Sequence, residues 1–270
     1  MRSTEVFRTR SYKMQPFGTL GRGAEWMMRS WLGGSISYPI NFGPHTFRLE
    51  LQSVKRGFGS AGIFIQRRYY EPLLEFGYKL LKKGEYAIDG GANQGIFSCA
   101  FAAAVGTAGH VYAFEPQAYA VGCIRRNAHL NSLTNITIFE GALSDATGEI
   151  YLDTDQGPVS AFTTSRPQGN ETLVKALAID DIVATTEMMH DVQLIKLDVE
   201  GAELKALRGA QSLIQTAKPR ICIEAWDQKL YEQIEEFLSR FGYAAYIFDG
   251  RGRLNAFSSF YPSPNVFFMC

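Results

Sequence analysis

The feature that most constrains the fold is an alternation of short apolar segments with longer amphipathic ones, which begins at about residue 70. The short segments are typical of strands that are buried on both faces of a sheet. The segments between them repeat apolar residues at helical spacing. Strands that alternate with helices predict βαβ units, and hence a doubly wound α/β domain with a mostly parallel sheet and helices on both faces.

The boundaries of these elements can be read from the apolar runs and from the Gly, Pro and Lys residues that flank them. The predicted strands cover residues 86–88, 111–114, 136–139, 149–152, 194–197, 220–225, 243–248 and 265–269. The predicted helices cover residues 72–82, 96–105, 116–130, 202–216 and 230–241. The last two strands are predicted to pair antiparallel, and residues 153–172 are predicted to form a loop over the active face.

The first part of the chain differs from the rest. Residues 1–69 are rich in Gly, Arg and aromatic residues and have few long periodic stretches, so they are predicted to form an N-terminal cap or appendage. Residues 45–52 alternate apolar and polar side chains, which predicts a half-buried strand with residues 62–66 as its partner. A short helix is predicted at residues 27–31. The ligand-binding domain is therefore expected to cover residues 70–270.

Composition excludes several classes of protein. The formal net charge is zero, so no global attraction to nucleic acid is expected. No run of 18 apolar residues occurs, so no transmembrane helix is expected. The four cysteines are widely spaced and form no CxxC pair, which favours reduced thiols and a cytoplasmic location. No cluster of residues has metal-ligand spacing, so no metal is expected.

The strongest local signal is the segment from Asp89 to Gly95, Asp-Gly-Gly-Ala-Asn-Gln-Gly, between the first strand and the following helix. In open α/β sheets, ligands bind beyond the carboxyl ends of the strands, where this turn lies. The segment does not fit the pyrophosphate-binding pattern G-x-G-x-x-G. An acidic residue at Asp89 suits a cationic ligand such as S-adenosylmethionine (SAM) better than a pyrophosphate. A turn of this kind can also serve only to pack a helix on a strand.

Two further segments extend this site. Glu115 ends the second strand, where a carboxylate can accept hydrogen bonds from both ribose hydroxyls, or lie in solvent as a strand-end residue. Because NAD enzymes share such an acid, Glu115 alone does not identify the cofactor. After the third strand, Ala142 leaves space for an adenine, and Ser144 or Asp145 can bond its edge. A plain turn is an equal alternative there.

The segment Lys196-Leu-Asp-Val-Glu-Gly-Ala-Glu203 ends the fourth strand and begins a helix. Asp198 or Glu200 can orient an acceptor hydroxyl or remove its proton, so both are candidate catalytic residues. Lys196 can instead pair with these acids and lower their pKa values. Asp198 is equally well interpreted as a contact to the cofactor or the substrate.

Taken in order, these motifs resemble the FkbM-type methyltransferase family. The matching segments are 88–95, 113–116, 127–131, 141–144, 178–182, 195–203, 209–210 and Glu224. The resemblance covers about residues 70–250 and depends on the order of several motifs. Gly90 departs from it, since an aliphatic residue is expected there more often.

The resemblance implies a class I (Rossmann-like) SAM-dependent methyltransferase with a seven-stranded sheet whose last strand is antiparallel. It also implies methyl transfer to oxygen, on a sugar or natural-product acceptor. By the same likeness, SAM contacts are expected at Asp89, Gly91, Asn93, Gly95 and Glu115. Asp198 and Glu200 are expected on the acceptor side.

Two other functions use the same fold. A nicotinamide-dependent oxidoreductase would share Glu115, but the glycine-rich turn from Asp89 to Gly95 lacks the pyrophosphate fingerprint. A non-catalytic SAM-fold subunit would be favoured by loss of Asp89 or Glu115, and both are present. The sequence therefore favours a SAM-dependent O-methyltransferase that acts on a small-molecule or glycan acceptor.

Overall fold

The structure of the protein is a computed structural model. It describes residues 13–33, 35–42, 45–52, 60–66, 72–153, 162–164, 171–185, 192–225, 228–248, 254–257 and 265–270. The helices are α1 Pro16–Leu32, α2 Ser60–Gln66, α3 Pro72–Leu80, α4 Ile96–Val105, α5 Ala118–Leu130, α6 Ile179–Thr185, α7 Glu203–Arg208, α8 Gln211–Ala217 and α9 Gln228–Ser239. The strands are β1 Ser35–Phe42, β2 His45–Gln52, β3 Tyr86–Gly90, β4 His110–Glu115, β5 Ile136–Glu140, β6 Ala142–Leu143, β7 Gly148–Asp153, β8 Phe162–Thr164, β9 Thr172–Leu177, β10 Val192–Leu197, β11 Arg220–Glu224, β12 Ala244–Phe248, β13 Leu254–Ala256 and β14 Asn265–Met269.

The main sheet has the strand order β13-β12-β14-β11-β10-β3-β4-β5. The five strands from β11 to β5 are parallel, and β14 is antiparallel to both of its neighbours. Numbered by their order in the chain, these five strands follow the doubly wound order 3-2-1-4-5. The strand order therefore reverses between β3 and β10, which is where such sheets bind ligands.

The α/β class, the parallel sheet and the antiparallel pairing of β12 with β14 confirm the sequence predictions. The strand count implied by the family resemblance is wrong, because the described part of the main sheet has eight strands rather than seven. The extra strand is β13, which pairs antiparallel with β12 at the sheet edge. Its three residues are too short a run to show the alternation by which a strand is recognised.

The single helix predicted for residues 202–216 is wrong, because α7 and α8 are separate helices. The two carboxylate oxygens of Asp180 accept the N–H groups of Ser212 (2.7 Å) and Leu213 (3.0 Å), which satisfies unpaired donors at the start of α8. A Cβ atom at Gly209 would lie 2.1 Å from the backbone oxygen of Ser144. The break is therefore set by contacts from distant parts of the chain.

The N-terminal predictions are correct in part. Strand β2 is found, but its partner is β1, whereas residues 62–66 lie in helix α2. A continuous buried run such as Ile63–Ile65 does not distinguish a strand from a helix. The helix predicted at residues 27–31 is longer and runs over all of α1.

The N-terminal elements and the main domain share an apolar core. Trp26, Leu49 and Phe64 belong to one buried cluster with Leu74 and Cys99. The described elements of the N-terminal region therefore pack on α3 and α4. The loop predicted for residues 153–172 lies mostly outside the described residues, but part of it forms β8, which pairs with β7.

Candidate active site

The glycine-rich turn after β3 brings three strand ends together. Gly91 and Gly95 have φ angles of +72° and +81°, which lie in the left-handed region that favours glycine. A Cβ atom at Gly91 would lie 1.8 Å from the backbone oxygen of Asp198, so no side chain fits there. The N–H of Gly91 donates to the carbonyl of Phe114 at 3.0 Å. The turn is therefore held between the ends of β4 and β10.

Glu115, the last residue of β4, binds the backbone around it. Its Oε2 accepts the N–H of Asn93 at 2.8 Å, and its Oε1 accepts the N–H of Gln117 at 2.9 Å. The residue is only 4% exposed, and burial raises the pKa of its carboxyl although these two hydrogen bonds oppose the shift. Each carboxylate oxygen can accept a second hydrogen bond. Glu115 therefore fixes the turn and keeps acceptor capacity for a ligand.

Asp89 is fully buried at the end of β3. Its Oδ2 accepts the hydroxyl of Ser98 at 2.5 Å, and its Oδ1 lies 3.6 Å from Nζ of Lys196. Within the described residues, this Oδ1 accepts no hydrogen bond. Asp89 pairs in register with Ala113, two residues before Glu115, so both carboxylates project from the same face of the sheet.

Lys196 on β10 offsets part of the negative charge that the sequence places here. Its Nζ lies 3.4 Å from Oδ2 of Asp198 and 4.7 Å from the centre of the Phe97 ring. Burial alone would lower its pKa, but the carboxylates of Asp198, Asp89 and Glu224 raise it overall. The pairing of Lys196 with Asp198, which the sequence suggested as one alternative, is therefore present. Among the described ion pairs its second partner is Asp89 rather than Glu200.

Asp198 lies directly after β10, and its side chain is one-third exposed. Burial acts to raise its pKa, but the charge of Lys196 and a hydrogen bond with Glu224 lower it overall. Glu224 ends β11, so this contact joins two neighbouring strand ends. Asp198 is therefore an ionised carboxylate held by fixed partners.

Glu200 lies two residues further and differs from Asp198 in both conformation and ionisation. It has a φ of +51°, which is uncommon for a residue other than glycine. Burial, followed by the charges of Asp198 and Glu203, raises the pKa of Glu200 to about 7. Glu203 supports the loop, because its Oε1 accepts the N–H groups of Val199 (3.1 Å) and Gly201 (3.2 Å). The two catalytic candidates are thus chemically distinct.

Ala142 and Ser144 follow β5, and both are buried. The N–H of Gly141 donates to the carbonyl of Glu115 at 3.2 Å, which places this segment next to the end of β4. The hydroxyl of Ser144 donates to Oδ1 of Asp145 at 3.1 Å. The segment therefore lies beside Glu115, with its serine already bonded to its neighbour.

Two contributors to the site were missed from the sequence, Ser98 and Gln94. Ser98 binds Asp89, and the buried side chain of Gln94 accepts the hydroxyl of Ser60 at 2.9 Å. The Nδ2 of Asn127 donates to the carbonyl of Gln94 at 2.8 Å. The available signal was a polar residue just before α4, Gln94, and another within its apolar first turn, Ser98, since a buried polar group requires a partner.

These residues fit a cationic ligand that carries a ribose. The buried Oδ1 atoms of Asp89 and Asn93 accept no hydrogen bond within the described part of the chain, so both can take one from a ligand. Carboxylates outnumber the single ammonium group in the cluster, which favours a positively charged ligand. Over the same described ranges, no group of three or more His, Cys, Asp or Glu side chains is arranged to hold a metal ion.

The doubly wound sheet with an antiparallel β14 is the fold of a class of protein, the class I SAM-dependent methyltransferases. The methyltransferase FkbM domain matches residues 89–245, which is more than half of the chain. The chain therefore belongs to the FkbM methyltransferase family. This confirms the family resemblance, with SAM as the cofactor.

A comparison with solved structures finds methyltransferases of low sequence identity. The FkbM methyltransferase from Methylobacillus flagellatus KT is 16% identical, with a TM-score of 0.48, over 78% of this chain and 54% of that one. A SAM-dependent O-methyltransferase from Thermotoga maritima is 15% identical, with a TM-score of 0.43, over 72% of this chain and 62% of that one. The chain thus spans about half the length of the FkbM protein. A comparison with curated proteins finds no match.

Proposed function

We propose that this chain transfers the methyl group of SAM to a hydroxyl oxygen of a small-molecule or glycan acceptor, such as a sugar or a natural product. The observation that carries the proposal is Glu200, a half-buried carboxyl beside the cofactor turn whose pKa is raised to about 7. A general base works best when its pKa lies near the operating pH. A hydroxyl acceptor needs such a base, because the oxygen must lose its proton.

For the cofactor we propose the residues around the glycine-rich turn. Glu115 would bind the ribose hydroxyls through its remaining acceptor capacity. The turn from Gly91 to Gly95 would hold the methionine part, whose ammonium suits the Oδ1 atoms of Asp89 and Asn93, which accept no hydrogen bond within the described residues. Ala142 and Ser144 would border the adenine. SAM, when bound, supplies an electrophilic methyl group on a positively charged sulfur.

For the acceptor we propose distinct roles for the two acids after β10. Glu200 accepts the proton of the acceptor hydroxyl as that oxygen bonds to the methyl carbon and the carbon–sulfur bond breaks. Asp198 is a poorer base, because Lys196 lowers its pKa, and it orients the hydroxyl instead. Since the leaving group is a neutral sulfide, positioning of the acceptor supplies most of the catalysis.

The cysteines support the expected location. Within the described residues, Cys99, Cys123 and Cys222 are buried and form no disulfide bond. Buried thiols that form no disulfide are typical of reducing compartments. We therefore propose that the protein works in the cytoplasm.

A product assay tests this proposal. The protein would be incubated with SAM and a panel of sugars, hydroxylated natural products, amines and RNA, and products with one added methyl group would be sought by mass spectrometry. Methylation of a hydroxyl, lost in Glu200→Gln, is the expected result. Methylation of only nitrogen, carbon or RNA would contradict the proposed acceptor. SAM binding without turnover of any acceptor would support the non-catalytic alternative.

A further inference from the structure

Helix α1 turns its apolar face outward. Seven large apolar side chains between residues 14 and 32 are exposed: Met14, Phe17, Leu20, Met27, Met28, Trp31 and Leu32. Phe17, Leu20, Met27 and Trp31 recur at the spacing that places residues on one side of a helix. Phe17 and Trp31, near the two ends of the helix, are 88% and 82% exposed. The outer surface of α1 is therefore a continuous apolar stripe, called here the α1 face.

The opposite side of the helix is fixed to the protein body. Trp26 is buried, and its ring packs against that of Phe64 on α2 with the centroids 5.4 Å apart. The Nε–H of Arg22 donates to the carbonyl of Ile65 at 2.7 Å. The α1 face is thus presented by a helix with a defined position. The outward exposure of its apolar residues follows from this packing.

No comparable stripe occurs elsewhere on the described surface. The other exposed large apolar residues in the described ranges are Tyr119 and Leu130, at opposite ends of α5, and Leu173 on β9. Scattered apolar residues of this kind are normal on a protein surface, whereas a contiguous apolar patch indicates a binding surface.

The charge of the sequence segment that contains α1 distinguishes between occupants. The first 32 residues contain six basic and two acidic residues, whereas the remaining chain has an excess of acidic residues. On the helix itself, the single acid, Glu25, pairs with Arg29 at 2.9 Å. The exposed Lys13 lies just before the helix. An apolar stripe within a basic segment is complementary to an anionic surface that is also apolar beneath its charges.

We propose that α1 is an interfacial helix that binds the surface of an anionic lipid membrane. Phe17, Trp31 and the methionines insert below the head groups, while basic residues contact lipid phosphates. The helix is about 26 Å long at 1.5 Å per residue, and it lies along the surface rather than across the bilayer. Across the residues that the structure describes, no helix is long and apolar enough to span a membrane.

The proposal gives the cap a relation to the active site. Helix α1 is bonded to α2, and the hydroxyl of Ser60 at the start of α2 donates to Gln94 in the cofactor turn at 2.9 Å. Membrane binding through α1 would therefore hold the catalytic domain at the bilayer surface. The proposal does not depend on the acceptor, because binding to lipid can be measured without turnover.

A vesicle co-sedimentation experiment tests the proposal. The full chain would be mixed with vesicles of phosphatidylcholine alone, or with one-third phosphatidylglycerol. Binding to the anionic vesicles, weakened by high salt, is expected, and Phe17→Ser with Trp31→Ser should reduce it about tenfold or more. Lys13→Gln should reduce it less. The matched control is Leu130→Ser with Leu173→Ser, which removes two exposed apolar side chains elsewhere and should bind as the unchanged protein does.

The other outcomes overturn the proposal. If the protein binds neither kind of vesicle, or binds both equally whether or not Phe17 and Trp31 are present, α1 is not an interfacial helix. Light scattering after size-exclusion chromatography identifies the competing occupant. A dimer that Phe17→Ser with Trp31→Ser converts to a monomer, without vesicle binding, would assign the α1 face to a second copy of the chain. Circular dichroism of each variant confirms that it is folded.

Discussion

The acids at the ends of β3 and β4 differ from those that follow β10. Asp89 and Glu115 are almost completely buried. Their oxygens accept hydrogen bonds from a serine hydroxyl and two backbone N–H groups, and Asp89 forms an ion pair with a lysine. Asp198 and Glu200 lie on a partly exposed loop, and Glu200 has a left-handed backbone and a pKa raised to about 7. The first pair thus forms a rigid scaffold, whereas Glu200 is held in a reactive state.

This difference separates binding from chemistry. A carboxylate that organises a loop and accepts ligand hydroxyls must stay in place, and fixed hydrogen bonds provide that. A carboxylate that takes up a proton must have a pKa near the working pH, and burial beside other acids provides that. Substitutions in the two regions should therefore have different effects, on folding and affinity in the first and on turnover in the second.

The largest effect is expected for Gly91→Ala. Its new Cβ would lie 1.8 Å from a backbone oxygen, at a φ of +72°, so the turn must move away from β10. The free energy of unfolding should fall by more than about 4 kcal/mol, as for the severest backbone conflicts. Gly148→Ala is the matched control, since nothing lies within 4 Å of the added Cβ, and it should change stability little. Urea titration measures the stability of both variants. Equal stability of Gly91→Ala and Gly148→Ala would contradict the close packing of the turn.

Lys196→Met should cause the next largest loss of stability. The substitution keeps an unbranched side chain but removes the positive charge between two carboxylates, one of them fully buried. Loss of one partner of a buried ion pair costs about 3–5 kcal/mol. The deficit should shrink at low pH, where the orphaned carboxylates take up protons. Urea titrations at several pH values test this, with the exposed Lys175→Met as control, and a loss of stability that does not depend on pH would argue against the charge cluster.

Glu200→Gln should lower kcat by about 10²–10⁴-fold, the usual contribution of a general base, and leave SAM affinity unchanged. The kcat of the unchanged protein should rise with pH through about 7, as Glu200 loses its proton, and the variant should lack this rise. The exposed Glu149→Gln serves as control. Once an acceptor is known, a pH profile of both proteins decides the matter, and an unaltered profile would remove Glu200 from the mechanism.

A smaller effect on stability follows from the same raised pKa. Since the pKa of Glu200 is higher in the folded state than its ordinary value of 4.5, the folded protein binds more protons between pH 4.5 and about 7. The free energy of unfolding should therefore fall as the pH rises through this window. Glu200→Gln should flatten that part of the curve. Thermal unfolding measured at several pH values across this window tests the prediction. If stability falls equally with pH in the unchanged protein and in Glu200→Gln, the raised pKa is contradicted.

Much of this arrangement could be predicted from the sequence, because apolar periodicity and strand-end acids are local signals. The strand ending at Glu115 and the helix from Ile96 to Val105 depend only on such patterns. The pairing of β2 with β1 and the helix break at Gly209 could not be predicted in this way. Nor could the ion pair between Lys196 and Asp89, because it joins residues far apart in the chain. In the same way, only the packing of Trp26 shows that the apolar side of α1 faces outward.

The most direct test of the account is a calorimetric titration of SAM into three proteins: the unchanged chain, Glu115→Ala and Glu140→Ala. Glu140 pairs in register with Glu115 on the next strand, but it is exposed and bonded to Arg125. The account predicts that Glu115→Ala weakens SAM binding by about 1–3 kcal/mol, the cost of leaving polar groups without a partner, and that Glu140→Ala does not. Equal affinity in all three folded proteins would show that the acid after β4 does not bind the cofactor, and would contradict the proposed site.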